Sequence, residues 1–505
     1  MKAEISSRLF NSNLNSKTLV FVLLLFSVLI LSILSGILAA SGNLILLVPL
    51  LVLFGIFFIL AAPVAWTVWI LFWGAFLVTG PSAYFLRFSQ LQWFTVLVSA
   101  ALLLPVLLHL LRARTSIKSV SFSSELWGPI ILVVLVLFST VIDRPYFSEI
   151  INASRYYLLM WPLMLVIMFG LISEKMIMQL WQALMIVAIL QFPMAIYQYF
   201  FVVPSSVRTS PWDAVIGTFH GVIEGGGDSA AMAIMLLIAM LTAIALWREG
   251  KLTGLKVVLV VLFGLLTLGL AEVKAAVILL PVIIGLYYRK VLLKRPVEFI
   301  VVMIGAVLLV GALFTFYEKL HYGDVSTHTF KKNQVTSTYD RVMRALDPET
   351  ETYDGRELGR VNLLLNWWNI NVGSGDLQHS LFGYGMGATY ESRIGTGELV
   401  DRFLYKINTS SSLILLWEVG ILGHLVFFFI LLLGAKASER AAGYDVIPEI
   451  HRIFLRIGAV GLFLLILTMP YKNFHLYSNP IQFLMMLMLG QAAYWSRFLN
   501  KCGNS

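Results

Sequence analysis

The sequence predicts an all-α polytopic membrane protein: about fourteen transmembrane helices, twelve to fourteen in all, with one long extracytoplasmic loop domain. Three observations predict it. Apolar residues make up 59% of the chain, charged residues 12%, and mean hydropathy is +0.86, values outside the range of soluble domains. Apolar runs long enough for a ~30 Å hydrocarbon core recur from Thr18 to the end. Only one long polar stretch, residues 318–410, interrupts them.

Taking ~17 to 25 apolar residues as one crossing, the spans run approximately over 18–40, 43–60, 64–78, 91–111, 126–142, 156–172 and 177–200. They continue over 229–247, 255–270, 275–288, 297–317, 411–433, 453–469 and 481–495. The first is longer than the ~7 to 15 apolar residues of a cleaved signal sequence, so it is expected to stay as an anchor. The chain therefore divides into a membrane domain of eleven helices (1–317), a loop domain (318–410), and three last helices with a tail (411–505).

Charge sets the expected orientation. With the amino terminus in the cytoplasm, inner loops collect twenty of the 36 lysines and arginines, and the short outer loops hold six. That asymmetry follows the positive-inside rule, places both termini in the cytoplasm and turns 318–410 outward. The net charge of +9 is then mostly topology and attraction to anionic lipid, which argues against nucleic-acid binding. The single cysteine, Cys502, lies in the inner tail and leaves the loop domain without a disulfide.

Three outward places break the apolar monotony. Arg208 to Asp213 precedes Gly217-Thr-Phe-His220 and then Glu224-Gly-Gly-Gly-Asp228, where glycines before a helix start suit close approach of an anion, or simply a flexible capped connection. Ala271-Glu272-Val-Lys274-Ala-Ala276 sets an acid and a base at a membrane boundary. This is either an interfacial ion pair or a fixed cation for an anionic head group. Within the loop domain, 356–370 is amphipathic, with Arg356 and Arg360 one turn apart and Trp367 and Trp368 suited to a lipid interface. Two arginines so spaced repel unless an anion such as phosphate sits between them; a solvated basic face is the alternative. Alternating glycines follow in Leu381-Phe-Gly-Tyr-Gly-Met-Gly387, a turn that lets backbone pack under something bulky. The histidines share no metal-ligand spacing, so no metal site or cofactor is expected. Glu418, inside an apolar span, is functional or hydrogen-bonded.

Taken together these motifs resemble the O-antigen polymerase and ligase superfamily. The resemblance rests on Gly217-Thr-Phe, Ala271 to Ala276, Gly359-Arg360, Leu381 to Gly387 and Trp417-Glu-Val-Gly-Ile-Leu-Gly423, in the family's order from Arg208 onward. It implies transfer of glycan from an undecaprenyl-diphosphate carrier on the outer face of the bacterial inner membrane, without metal, with lipid-linked oligosaccharide as donor and acceptor. It further implies that Lys274 and Arg360, with Arg208 and Arg356 beside them, hold the carrier diphosphate, and that His220 or Glu272 serves as base. Ligases of the family carry a histidine where this chain has Thr409, so the resemblance leans to a polymerase of exopolysaccharide, capsule or O-antigen repeat units. A lipid-linked oligosaccharide flippase is the rival from another class.

Overall fold

The computed structural model describes residues 62–87, 91–114, 127–158, 161–205, 214–222, 226–271, 273–295, separate positions between 297 and 315, 359–391, 396–403 and 405–503. The chain divides into two units, Met1–Thr67 and Val68–Ser505, and the helical bundle belongs to the second. The spans expected at 18–40 and 43–60, and most of the first half of the loop domain, lie outside the described residues.

In chain order the helices are α1 (Val64–Leu86), α2 (Gln92–Arg112), α3 (Trp127–Asp143), α4 (Phe147–Tyr157), α5 (Trp161–Met168), α6 (Glu174–Val202) and α7 (Ser229–Arg248). Then come α8 (Gly254–Leu270), α9 (Lys274–Leu292), α10 (Arg360–Asn371), α11 (Leu377–Phe382), α12 (Glu398–Arg402) and α13 (Ser411–Glu418). The last are α14 (Gly420–Ala441), α15 (Glu449–Thr468), α16 (Phe474–Tyr477) and α17 (Asn479–Gly503). Among the described residues seven helical stretches are long and apolar enough to cross a membrane. The protein is an all-α membrane protein; among the described residues its strands are a two-residue ribbon pairing Gly221–Val222 with Gly226–Gly227.

Helix α7 is the centre. Its 20 residues are apolar on every side, which marks a helix surrounded by protein. Most of its length is buried, and α6, α8, α9, α15 and α17 pack around it. At 1.5 Å per residue it spans about 30 Å, a hydrocarbon core's thickness. Around it α14 packs on α15, α17 and α3, and α5 packs on α17. Leucines and valines exposed on α2, α3 and α8 face outward from this bundle, as a surface solvated by lipid requires.

Two elements differ from the expected spans. The run 411–433 is two helices, because the chain breaks at Val419–Gly420, where Gly420 adopts φ +71°. The run 156–172 gains a polar preface: α4 starts at Phe147 and buries Glu149, Asn152 and Arg155. Those side chains are carried below the surface by the helix that leads into the apolar run.

Candidate functional site

The break in α13–α14 organises one end of the bundle. The segment Gly383–Gly387 lies directly on it. The amides of Tyr384 and Gly385 donate to the carbonyls of Trp417 (2.8 Å) and Glu418 (3.1 Å), and the Ser139 hydroxyl donates to that same Glu418 carbonyl at 2.8 Å. Two glycines make the approach possible. A Cβ on Gly383 would stand 2.4 Å from the Glu418 carbonyl carbon, and one on Gly420 would stand 2.3 Å from that of Leu381. The two glycine-bearing motifs singled out in the sequence therefore pack against each other.

The contact turns Glu418 inward. Fully buried, its carboxylate accepts from the Thr389 hydroxyl (2.6 Å), the Thr389 amide (3.2 Å) and the Tyr156 hydroxyl (3.3 Å). Tyr156, Tyr390 and Tyr477 pack around it, with centroids 4.9 to 6.0 Å apart. Nearby, His475 is buried with Nδ1 2.8 Å from the Ser411 hydroxyl and Nε2 2.8 Å from the Leu465 carbonyl. Burial holds its imidazole down at about 4, so it is neutral and ties the chain ends around α16.

Arg155 is the buried cation of this end, 9% exposed. One Nη donates to Gln92 Oε1 at 2.8 Å and the other to the Tyr390 hydroxyl at 3.1 Å; the guanidinium also lies over the Trp93 and Tyr390 rings. A guanidinium has five N–H donors. The remaining ones have no protein acceptor among the described residues.

His220 and Asp228 face Arg155 from the connection before α7. Two buried glutamines of α6 fix that connection. Gln198 accepts from the amides of Ile216 and Gly217 and donates to the Gly217 carbonyl, and Gln191 accepts from the Thr218 amide at 2.7 Å. The Thr218 hydroxyl donates to the Phe76 carbonyl at 2.6 Å, and the Asp228 amide donates to the His220 carbonyl at 2.9 Å. Burial, then the positive charge of Arg155, pushes His220 down to about 4. Its Nε2 is buried without a hydrogen-bond partner among the described residues. Burial raises Asp228 to about 6, opposed by the nearby Ser478 hydroxyl and the positive charges of Lys472 and Arg155. The exposed Lys472 thus stands at the mouth of the same cluster.

The residues expected from sequence divide accordingly. His220 lies in the cluster. Arg360 opens α10 and sets its guanidinium 4.4 Å from the centre of the Tyr471 ring, beside Lys472 in the chain. Lys274 begins α9, but its side chain lies outside the described residues, as do Glu272, Arg208 and Arg356 altogether. Sequence reasoning missed Arg155, which it counted only among the loop cations. The signal was there: Glu149, Asn152 and Arg155 recur every three residues, one polar face leading into an apolar run. Among the described residues no group of three or more His, Cys, Asp or Glu is arranged to hold a metal ion.

Chemically, this end joins a desolvated guanidinium whose remaining donors no described residue accepts, flanking tyrosines, an exposed lysine and a neutral imidazole, beside the carboxyls of Glu149, Asp228 and Glu418. It suits an anionic group held at the edge of the membrane. No protein-family model matches the chain, and no curated protein does.

Proposed function

We propose that this protein is a metal-independent membrane glycosyltransferase of the O-antigen polymerase type, joining lipid-linked oligosaccharide repeat units of an exopolysaccharide, capsule or O-antigen. It would work in the bacterial inner membrane with about fourteen spans, both termini cytoplasmic, and 318–410 on the periplasmic side. The observation that carries the reading is the buried Arg155, with donors unused among the described residues, set among Lys472, Tyr390 and His220 at one end of an apolar bundle. A lipid-linked diphosphate presents its charge at that depth and its sugar to the loops.

In the proposed step an acceptor hydroxyl oxygen bonds to the anomeric carbon while the bond from that carbon to the carrier diphosphate breaks, with inversion. The hydroxyl proton leaves to a base or to water, and the diphosphate departs with its electron pair. Arg155, Lys274 and Arg360 would neutralise the departing charge, at ~2.7 to 4 kcal/mol for a well-placed donor. An imidazole held at about 4, like His220, is a weak base, so the step leans on leaving-group stabilisation. Glu272 is the other candidate for the proton. A flippase would carry buried charges along its transport path. Here Glu149, Arg155 and Glu418 are buried, and Arg155 and Glu418 are linked at one end through the packed rings of Tyr156 and Tyr390.

The test is the fate of the substrate. A strain lacking the protein should accumulate single carrier-linked repeat units on the outer face of the membrane. Units trapped on the inner face would instead identify a flippase, and normal polymer would refute both readings.

A further inference from the structure

At the end of the bundle away from Arg155, a groove of about 390 Å³ lies between α9, α14 and α15. Its deeper walls are apolar: Leu286, Leu432, Val460 and Phe463. Its other end is charged, with Arg289 one turn beyond Leu286, and Lys436 and Glu439 one and two turns beyond Leu432. Glu439 is already shared by Arg289 and by Lys290, the latter at 2.8 Å. Lys436 is exposed and has no carboxylate partner among the described residues. Arg456 falls on the same helical face as Ala459, Val460 and Phe463, one turn nearer the helix start. Arg289 and Lys290 therefore share one carboxylate, Glu439, at the charged end of an apolar slot, with Lys436 beside it on α14 and Arg456 on the α15 face that lines the slot.

We propose that this groove binds an anionic phospholipid. One acyl chain would lie along Leu286, Leu432 and Phe463, and the head-group phosphate would meet Lys436 and Arg456. The charge surplus selects the ligand: a zwitterionic lipid offers the same chain but no net charge to offset Lys436. A soluble anion fits less well, because the walls below the cations are hydrocarbon. Basic pockets between transmembrane helices are the usual setting for such head groups. The site stands on a different end of the molecule from Arg155 and does not depend on the catalytic reading.

The experiment is native mass spectrometry of the full-length, delipidated protein titrated with phosphatidylglycerol or phosphatidylcholine. Phosphatidylglycerol should be retained at low lipid ratios and phosphatidylcholine should not. Lys436→Glu removes one positive charge and adds a negative one, and should weaken phosphatidylglycerol retention about thirtyfold. Lys256→Glu, an exposed charge on α8, which is no wall of the groove, should leave retention unchanged. Ala435→Phe fills the slot without altering charge and should abolish retention; a thermal melt identifies a variant that has merely misfolded, and Leu432→Phe, which also adds bulk to the slot, then serves in its place. Equal retention of the two lipids, equal effects of Lys436→Glu and Lys256→Glu, or displacement by inorganic phosphate alone would each overturn the proposal.

Discussion

The two ends of this helical bundle handle charge in opposite ways. At one end Arg155 and Glu418 are buried, each held by named side chains. At the other, ion pairs sit on the surface: Lys251 with Glu449 at 2.8 Å, and Arg452 with Asp445. Surface pairs contribute little, because water screens them and two flexible side chains must be ordered. A buried charge is retained only where surrounding groups over-determine it, and inside a membrane such a group is by default functional. The difference sets an end that holds its charges inside the protein against one that leaves them to water.

The sharpest break in that comparison is Glu418→Ala. It strands the Thr389 hydroxyl, the Thr389 amide and the Tyr156 hydroxyl in a closed space, at about 1 to 3 kcal/mol for each unsatisfied group. The variant should melt well below the wild type in detergent, and Glu418→Gln should recover most of the loss. Equal melting of all three proteins would mean the break in α13–α14 is not held by this carboxylate.

Next come the cations proposed to hold the carrier diphosphate. Arg360→Ala and Lys274→Ala should each lower turnover about a hundredfold with expression intact, while Lys274→Arg retains much of it. Arg344→Ala, outside every motif singled out in the sequence, serves as control and should be nearly silent. Normal polymerisation by Lys274→Ala would leave that residue as an interfacial anchor only.

Stability should also depend on pH in a definite direction. His220 and His475 are held at about 4 in the folded protein against a usual 6.5, so the unfolded chain takes up protons first as pH falls. Their contribution is complete above about 6.5 and is lost progressively down to about 4. Asp228, raised to about 6, acts with the opposite sign and recovers part of the loss between about 6 and its usual 3.8. His220→Gln removes one of these contributions, so its melting temperature should fall less than that of the wild type between about pH 7 and about pH 4.5. A pH profile unchanged by the substitution would contradict the burial of that imidazole.

The smallest effect belongs to the surface end. Lys251→Ala should leave melting temperature and turnover unchanged within error, since both partners of its ion pair are largely exposed.

How much of this was legible in the sequence depends on what hydropathy can register. The central helix, expected at 229–247, runs Ser229–Arg248, because an uninterrupted apolar run has only one place to go. The alternating glycines of 381–387 were visible as a place of close packing, and the segment they pack on is 417–423, a motif the sequence marked only by resemblance. The break at Val419–Gly420 was not visible: 411–433 is apolar almost throughout, and a backbone torsion leaves no trace in hydropathy. Arg155 was lost for a related reason. A cation near the end of an apolar run scores as loop until its partners Gln92 and Tyr390, 63 and 235 residues away in sequence, are brought to it by the fold. Local pattern finds elements, whereas the buried cluster is made by contacts that no local pattern contains.

The central claim, that the Arg155 end is where chemistry happens, is tested most directly by turnover of a purified Arg155→Ala variant on lipid-linked repeat units in the presence of chelator. Wild-type protein should polymerise under these conditions, Arg155→Ala should be slower by about a hundredfold or more, and Arg155→Lys should be intermediate. Turnover of Arg155→Ala within a few-fold of wild type, with its fold intact by thermal melt, would contradict the claim.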